Sequence, residues 1–201
     1  MDYLRFEKHL EHAYSTVYPE KECDYHLSIT ESAIRGFVKP EGSINRVLDI
    51  GCGRGIALRI FKGMGLDATG ITLGYDDLEF CLDSGYDVRK MDMSFLDFGD
   101  GEFDLVWARH CLEHSPMPII TLYEFGRILR DGGFLYVEVP EDLSPHLENP
   151  NHYSLLSDHL WQSLFRRAGF RLRYRTQFTI DLKDWTDIYW GYWLVKNGET
   201  G

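Results

Sequence analysis

Apolar residues fall in short runs separated by glycine and proline. Val47–Ile50, Ala68–Leu73, Phe103–Ala108 and Phe134–Val139 are apolar stretches of strand length, and Tyr86–Met91 is a shorter, more mixed one. Between them, Ile56–Gly63, a segment starting near Leu78, and Ile119–Leu129 carry helical spacing. Gly63 and Gly65 close the first of these, and Gly132-Gly133 the last. After Pro140 comes a loop, Glu141–Asn151, then a helix over Leu156–Ala168 stopped by Gly169, then strands Phe170–Thr176 and Ile188–Val195. Ahead of all this, Leu4–Tyr18 and Tyr25–Val38 read as amphipathic helices separated by Pro19, and Pro40-Glu41-Gly42 breaks the second. Strands alternating with helices predict an α/β fold on a parallel sheet.

The pattern turns on Val47–Gly55. A short strand ends on a carboxylate, Asp49, and Gly51, Gly53 and Gly55 follow at alternate positions before helical spacing begins at Ile56. Glycine lets the backbone take positive φ and lets a ligand approach the main chain. The unpaired N–H groups that open a helix suit a carboxylate or phosphate. A dinucleotide fingerprint, G-x-G-x-x-G, would need its third glycine at Ile56, so a nicotinamide dehydrogenase is disfavoured.

The rest of the composition narrows the setting. The 201 residues suit one domain, and 44% hydrophobic with 26% charged residues is ordinary for a globular protein. A net charge of −11 gives no general attraction to nucleic acid or an anionic membrane. No apolar run reaches membrane-span length, and Met1-Asp2-Tyr3-Leu4-Arg5 has no signal-peptide pattern. Cys23, Cys52, Cys81 and Cys111 are scattered, with no C-x-x-C, so reduced thiols in a cytoplasm are expected. Arg166, Arg167, Arg171, Arg173 and Arg175 make a basic stripe, read as edge protection for a terminal strand. Trp185, Tyr189, Trp190, Tyr192 and Trp193 read as strand core or a subunit contact.

Asp49-x-Gly51-x-Gly53-x-Gly55 resembles motif I of the class I S-adenosylmethionine (SAM) methyltransferases. Phe103-Asp104-Leu105-Val106 leading to Leu112-Glu113-His114, and the turn Leu129-Arg130-Asp131-Gly132-Gly133, resemble further landmarks of the small-molecule type. The resemblance covers about Val47 to Pro140. It implies a seven-stranded, mostly parallel sheet of order 3-2-1-4-5-7-6, strand 7 antiparallel, with helices on both faces. It further implies one domain over 1–201, with 1–42 as a helical cap or lid. SAM would lie across Asp49, Gly51, Cys52, Gly53 and Gly55. The family's ribose-binding acid is replaced here by Thr72, beside Leu73, leaving Thr72 or Asp76 for the diol. Asp92 and Met93 stand where the family holds adenine, an acceptor for the amino group and a backbone donor for the ring. Arg109 would contribute its backbone.

Methyl transfer needs an acceptor held in line and, where it carries a proton, a base. His110 and His152 are the base candidates, since histidine titrates near neutrality. Tyr14, Tyr18, Glu113, His114 and Tyr153 are candidates for the acceptor site. The expected partner is a small-molecule or sugar-like acceptor methylated on O or N, with no membrane, no metal, and a monomer or homodimer. His110-x-x-Glu113-His114 also fits a zinc-peptidase pattern, which requires a mid-helix position and is rejected after a buried strand. The RNA 3′-terminal 2′-O-methyltransferases place an E-x-x-E-H metal cluster at this point, which His110, Glu113, His114 and His152 would mimic. A catalytically inactive SAM-binding scaffold is the remaining alternative.

Overall fold

A computed structural model describes residues 3–14, 24–38, 43–181 and 186–198, with the side chains at 3, 7, 11, 14, 24–26, 144 and 145 outside the description. The elements run α1 (Tyr3–Tyr14), α2 (Asp24–Phe37), β1 (Arg46–Ile50), α3 (Ile56–Gly63), β2 (Asp67–Thr72), α4 (Tyr75–Asp83) and β3 (Asp87–Lys90). They continue with β4 (Phe103–Arg109), α5 (Pro118–Ile128), β5 (Leu129–Pro140), α6 (Asp158–Arg167), β6 (Phe170–Asp181) and β7 (Thr186–Lys196). The seven strands form one sheet in the order β3-β2-β1-β4-β5-β7-β6, as expected. The pairs from β3 to β5 are parallel, and β7 runs antiparallel to both β5 and β6.

Strand alternation sorts the core into two layers. Leu48, Ile50, Val106, Leu135 and Val137 face α5 and α6, where Phe125, Trp161 and Phe165 are fully covered. Val47, Leu105, Trp107 and Tyr136 face α2 and α3, where Ile34 and Phe61 are fully covered. Trp107 stacks on Tyr136 with centroids 4.0 Å apart and meets Phe61 edge-on at 5.7 Å. Phe37 of α2 stacks on Trp193 at 5.5 Å, so the second N-terminal helix is a layer of the core. The first lies elsewhere: Phe6 meets Phe95 at 6.3 Å, and the Tyr153 hydroxyl donates to the Ala13 carbonyl at 2.7 Å. α1 thus reaches from the loop after β3 to the segment after Pro150.

Several boundaries move for local reasons. Gly74 precedes α4, so Asp76 and Asp77 sit inside its first turn, where acids favour the helix dipole, and no side-chain cap forms. The Leu-Arg-Asp-Gly-Gly turn belongs to β5, which enters the sheet through an irregularity opposite Phe103–Leu105. Asp104 explains two landmarks together: it accepts from the Asn45 and Arg46 N–H groups at 2.8 and 2.9 Å and from Arg130 Nε at 2.5 Å. A bulge between Leu172 and Tyr174 divides the arginine stripe, placing Arg173 over Phe134 and Arg175 against Asp158 on the other face. Tyr189, Tyr192 and Trp193 are core, while Trp185 lies outside the described residues. Among the described residues no helix is long and apolar enough to cross a membrane.

Trp107→Ala should cost about 3–5 kcal/mol of folding free energy, because its neighbours Tyr136 and Phe61 belong to rigid strand and helix and cannot close the gap. Urea denaturation should show a lower midpoint with an unchanged slope.

Candidate active site

The chain leaves β1 through the glycine turn, with φ of +65° at Gly51, +49° at Gly53 and +78° at Gly55. A Cβ on Gly51 would lie 3.0 Å from the Cβ of Cys111, and one on Gly55 would meet the Tyr86 ring at 3.0 Å. Glycine is therefore demanded twice over, by conformation and by space. Cys52 N–H donates to the Ile71 carbonyl at 2.9 Å, tying the turn to β2. The Cys81 and Cys52 thiols both face the Gly53 carbonyl, at 3.3 and 3.7 Å. Cys52, Cys81 and Cys111 are buried thiols.

Beneath the turn, Asp49 is 4% exposed and its Oδ2 has no hydrogen-bond partner. Burial raises its carboxyl well above the usual range, the nearby Cys81 adds to this, and the Arg109 charge offsets part of it. At the end of β2, Thr72 is buried and its Oγ1 accepts from Gly74 N–H at 3.2 Å; Leu73 follows, half-buried. After β3, Asp92 is half-buried and accepts from Ser94 N–H through Oδ1 at 2.8 Å, beside half-buried Met93.

A buried polar cluster crosses β4 and β5. Glu138 is 1% exposed, with Arg109 Nε 2.8 Å from its Oε1, His110 Nε2 2.9 Å from the same oxygen, and the Tyr136 hydroxyl donating to Oε2 at 2.6 Å. Burial opposes the charge on Glu138, but the His110 hydrogen bond, the Arg109 charge and the Tyr136 hydroxyl outweigh it and pull its pKa down to about 2. His110 takes φ +51°, a left-handed conformation costing a non-glycine residue roughly 1–2 kcal/mol. The Glu138 carbonyl, accepting from His110 N–H at 2.9 Å, helps hold it there. Its ring lies 4.5 Å from that of Tyr189.

Next to this cluster, residues 112–114 form one 3-10 turn. Ser154 N–H donates to the Glu113 carbonyl at 2.9 Å and Ser154 Oγ to the Ser115 carbonyl at 2.7 Å, stitching the distant segment 151–154 onto that turn. The result brings Glu113, His114 and His152 together, one ligand-type atom of each within 4.8 Å of the others. His110 faces Glu138 instead, so the four-residue metal set is not what assembles. The peptidase pattern fails too, because the motif is not on a continuous helix. His146 Nε2 donates to Asp187 Oδ1 at 2.7 Å, and the Tyr189 hydroxyl donates to Asp187 Oδ2 at 2.6 Å.

The structure therefore gathers Asp49, the glycine turn and Arg109 on one side and His110, Glu113, His114 and His152 on the other, all at the carboxyl ends of the strands. Tyr153 is directed at α1. The side chain of Tyr14 and all of Tyr18 lie outside the described residues. Sequence reasoning passed over Glu138, although an acid inside the apolar run Leu135–Val139 is a visible signal. It passed over His146 and Asp187 as well, whose pairing spans 41 residues and leaves no local trace.

The family model of a methyltransferase domain matches residues 27–174. The chain belongs to this methyltransferase domain family. It is 35% identical over 98 residues to a ubiquinone biosynthesis O-methyltransferase of Methylococcus capsulatus, covering 45% of this chain and 41% of that one. It is 34% identical over 145 residues to the 27-O-demethylrifamycin SV methyltransferase of Amycolatopsis mediterranei, covering 62% and 53%. The chain thus spans about half the length of these curated relatives. A SAM-dependent methyltransferase structure from Archaeoglobus fulgidus shares the fold with a TM-score of 0.69 and 18% identity, covering 98% of this chain and 100% of that one. The family match runs from α2 into β6 and so includes the glycine turn, the Glu138 cluster and His152.

Glu138→Gln should destabilise the protein by about 3–5 kcal/mol, since it leaves the Arg109 charge buried without its counter-charge. The ionised carboxylate stabilises fully above the ordinary glutamate value of 4.5, and that contribution fades as pH falls toward about 2. Urea denaturation from pH 6 to pH 2 should show the wild type losing its advantage over Glu138→Gln by about 3 kcal/mol across that window.

Proposed function

We propose that this chain is a SAM-dependent methyltransferase directed at an oxygen of a small-molecule acceptor. The observation that carries the cofactor half is the orphaned, buried Asp49 carboxylate under three left-handed glycines. A buried acceptor with no donor fits a ligand that brings a cation, and the ammonium of an amino-acid moiety is one. Asp49 would hold that ammonium, the glycine turn would admit the ligand against main-chain N–H groups, and Asp92 Oδ2 and Met93 N–H would hold the adenine. SAM, when bound, supplies a sulfonium-activated methyl group. The names of the two curated relatives, both O-methyltransferases, support oxygen as the target atom.

The chain's own contribution is placement and proton removal. Transfer to an oxygen would require the acceptor to be held in line with that methyl group and its proton to be taken up by the protein. His110 is the base of this reading. The ionised Glu138 takes the proton-bearing Nε2 as its donor, which makes Nδ1 the ring's acceptor atom. α1, resting on Phe95 and Tyr153, would close over the acceptor and exclude water.

Calorimetric titration with S-adenosylhomocysteine tests the cofactor site. Binding in the micromolar range, roughly −8 kcal/mol, is expected, and Gly53→Arg should abolish it. No binding by the wild type would overturn the reading. Because burial raises the Asp49 carboxyl and the incoming ammonium favours its ionised form, binding should also strengthen as pH rises. Asp49→Asn should remove that pH dependence. In an acceptor screen scored by S-adenosylhomocysteine release, His110→Gln should lower turnover by about 10²–10⁴-fold with cofactor affinity little changed.

A further inference from the structure

We infer that Asp77, in the first turn of α4, accepts the two hydroxyls of the cofactor's ribose. This rests on the SAM reading above and completes it. In that reading the ammonium lies at Asp49 of β1, and the adenine lies at Asp92 and Met93, just past β3. β2 runs between those two strands in the sheet. The ribose joins the two ends of the ligand, so it crosses the end of β2, where Thr72, Gly74 and the start of α4 stand. A diol brings two donors, and one carboxylate can accept from both.

The neighbouring side chains are committed elsewhere or turned away. Thr72 is 6% exposed, and its Oγ1 accepts from Gly74 N–H at 3.2 Å, so the hydroxyl serves the turn that ends β2. Tyr75 lies against Lys90, whose Nζ is 3.4 Å from the ring centroid. Asp76 is exposed. Asp76 and Asp77 suit the helix start equally well. The helix dipole therefore does not distinguish them, and the direction each one faces does.

Asp77, Phe80 and Cys81 are three and four residues apart and share one face of α4. That face meets the glycine turn. Cys81 Sγ is 3.3 Å from the Gly53 carbonyl, the Arg54 guanidinium lies 5.1 Å from the Phe80 ring centroid, and Arg54 Nε is 3.8 Å from Asp77 Oδ1. A Cβ on Gly74 would lie 3.3 Å from Asp77 Oδ2, so the carboxyl group rests against the chain where it leaves β2. The Asp77 charge also reaches the turn. After the Cys81 hydrogen bond, burial, and the charges of Asp49 and Cys81, it helps push the Cys52 thiol up.

Asp77 keeps its capacity to accept. Its contact with Arg54 is an ion pair too long for a hydrogen bond, and the side chain is 36% exposed. Among the described residues no donor is hydrogen-bonded to its carboxylate. The acid missing from the end of β2 is thus supplied from the first turn of the next helix, on the side that faces the cofactor turn.

The test is calorimetric titration of the full chain with S-adenosylhomocysteine and with its 2′,3′-dideoxy analogue. The wild type should prefer the ribose form by about tenfold or more. Asp77→Ala should weaken S-adenosylhomocysteine to the level of the analogue, with affinity for the analogue itself within about twofold of wild type. Asp77→Asn keeps the shape and removes the charge. It should cut the preference to about threefold or less, and it supplies the reading if the alanine variant does not fold. Asp76→Ala should keep the full preference. A preference retained in the folded Asp77 variants, lost in Asp76→Ala instead, or absent from the wild type would overturn the inference and leave the methyltransferase reading in place. Equal weakening of both ligands by Asp77→Ala would mark a purely structural role and overturn it as well. No binding of either ligand by the wild type would remove both.

Discussion

A single buried carboxylate, Glu138, organises the active end of this sheet. It is almost wholly excluded from water, and the Arg109 charge together with the hydrogen bonds from His110 and Tyr136 keeps it ionised. Such a group holds its partners as firmly as they hold it, because losing any one leaves charge uncompensated in a medium that solvates it poorly. His110 is kept in a left-handed backbone conformation, and the Arg109 charge acts on Asp49 as well as on Glu138. The strain at His110 and the orphaned oxygen on Asp49 are two features this architecture leaves unrelieved, and both sit where the proposed ligands would be received.

The two halves of the proposed site are built by different means. The cofactor half is local: one strand, one glycine turn and the start of α3, closed from the side by the ends of β2 and β3. The acceptor half is assembled from pieces far apart in the chain. The short turn after β4 carries Glu113 and His114, the loop before α6 carries His146 and His152, and β7 supplies Asp187 and Tyr189. Ser154, bonded to the Glu113 and Ser115 carbonyls, is what joins the first two. Residues of the acceptor half can vary without touching the glycine turn, which suits a fold that keeps one cofactor and changes its substrates.

How much of this could be read beforehand follows from that difference. The strands and the position of the glycine turn were legible, because runs of apolar residues and alternating glycines act over a few residues, and the strand order with its antiparallel last hairpin followed from the resemblance those motifs carry. Asp104 and Arg130 were visible as landmarks, and the structure adds that they are one contact. The arginine stripe was misjudged in geometry: a bulge at Arg173 sends Arg173 and Arg175 to opposite faces, and a bulge of one residue has no signature in an alternating pattern. The two N-terminal helices were read as a single cap, yet Phe37 and Ile34 place α2 in the core while α1 spans the strand ends.

The sequence by itself determined the α/β fold and the place of the glycine turn, since each rests on local periodicity or on the conformational freedom of glycine, while the sheet order came from the family resemblance that its motifs carry. Only the tertiary structure decided which histidines meet which carboxylates. His110 goes to Glu138, His146 to Asp187, and His114 with His152 to Glu113. Those pairings depend on how strands and loops distant in the chain are brought into register. Burial then determines the consequence, because the same carboxylate in water would ask for no partner at all.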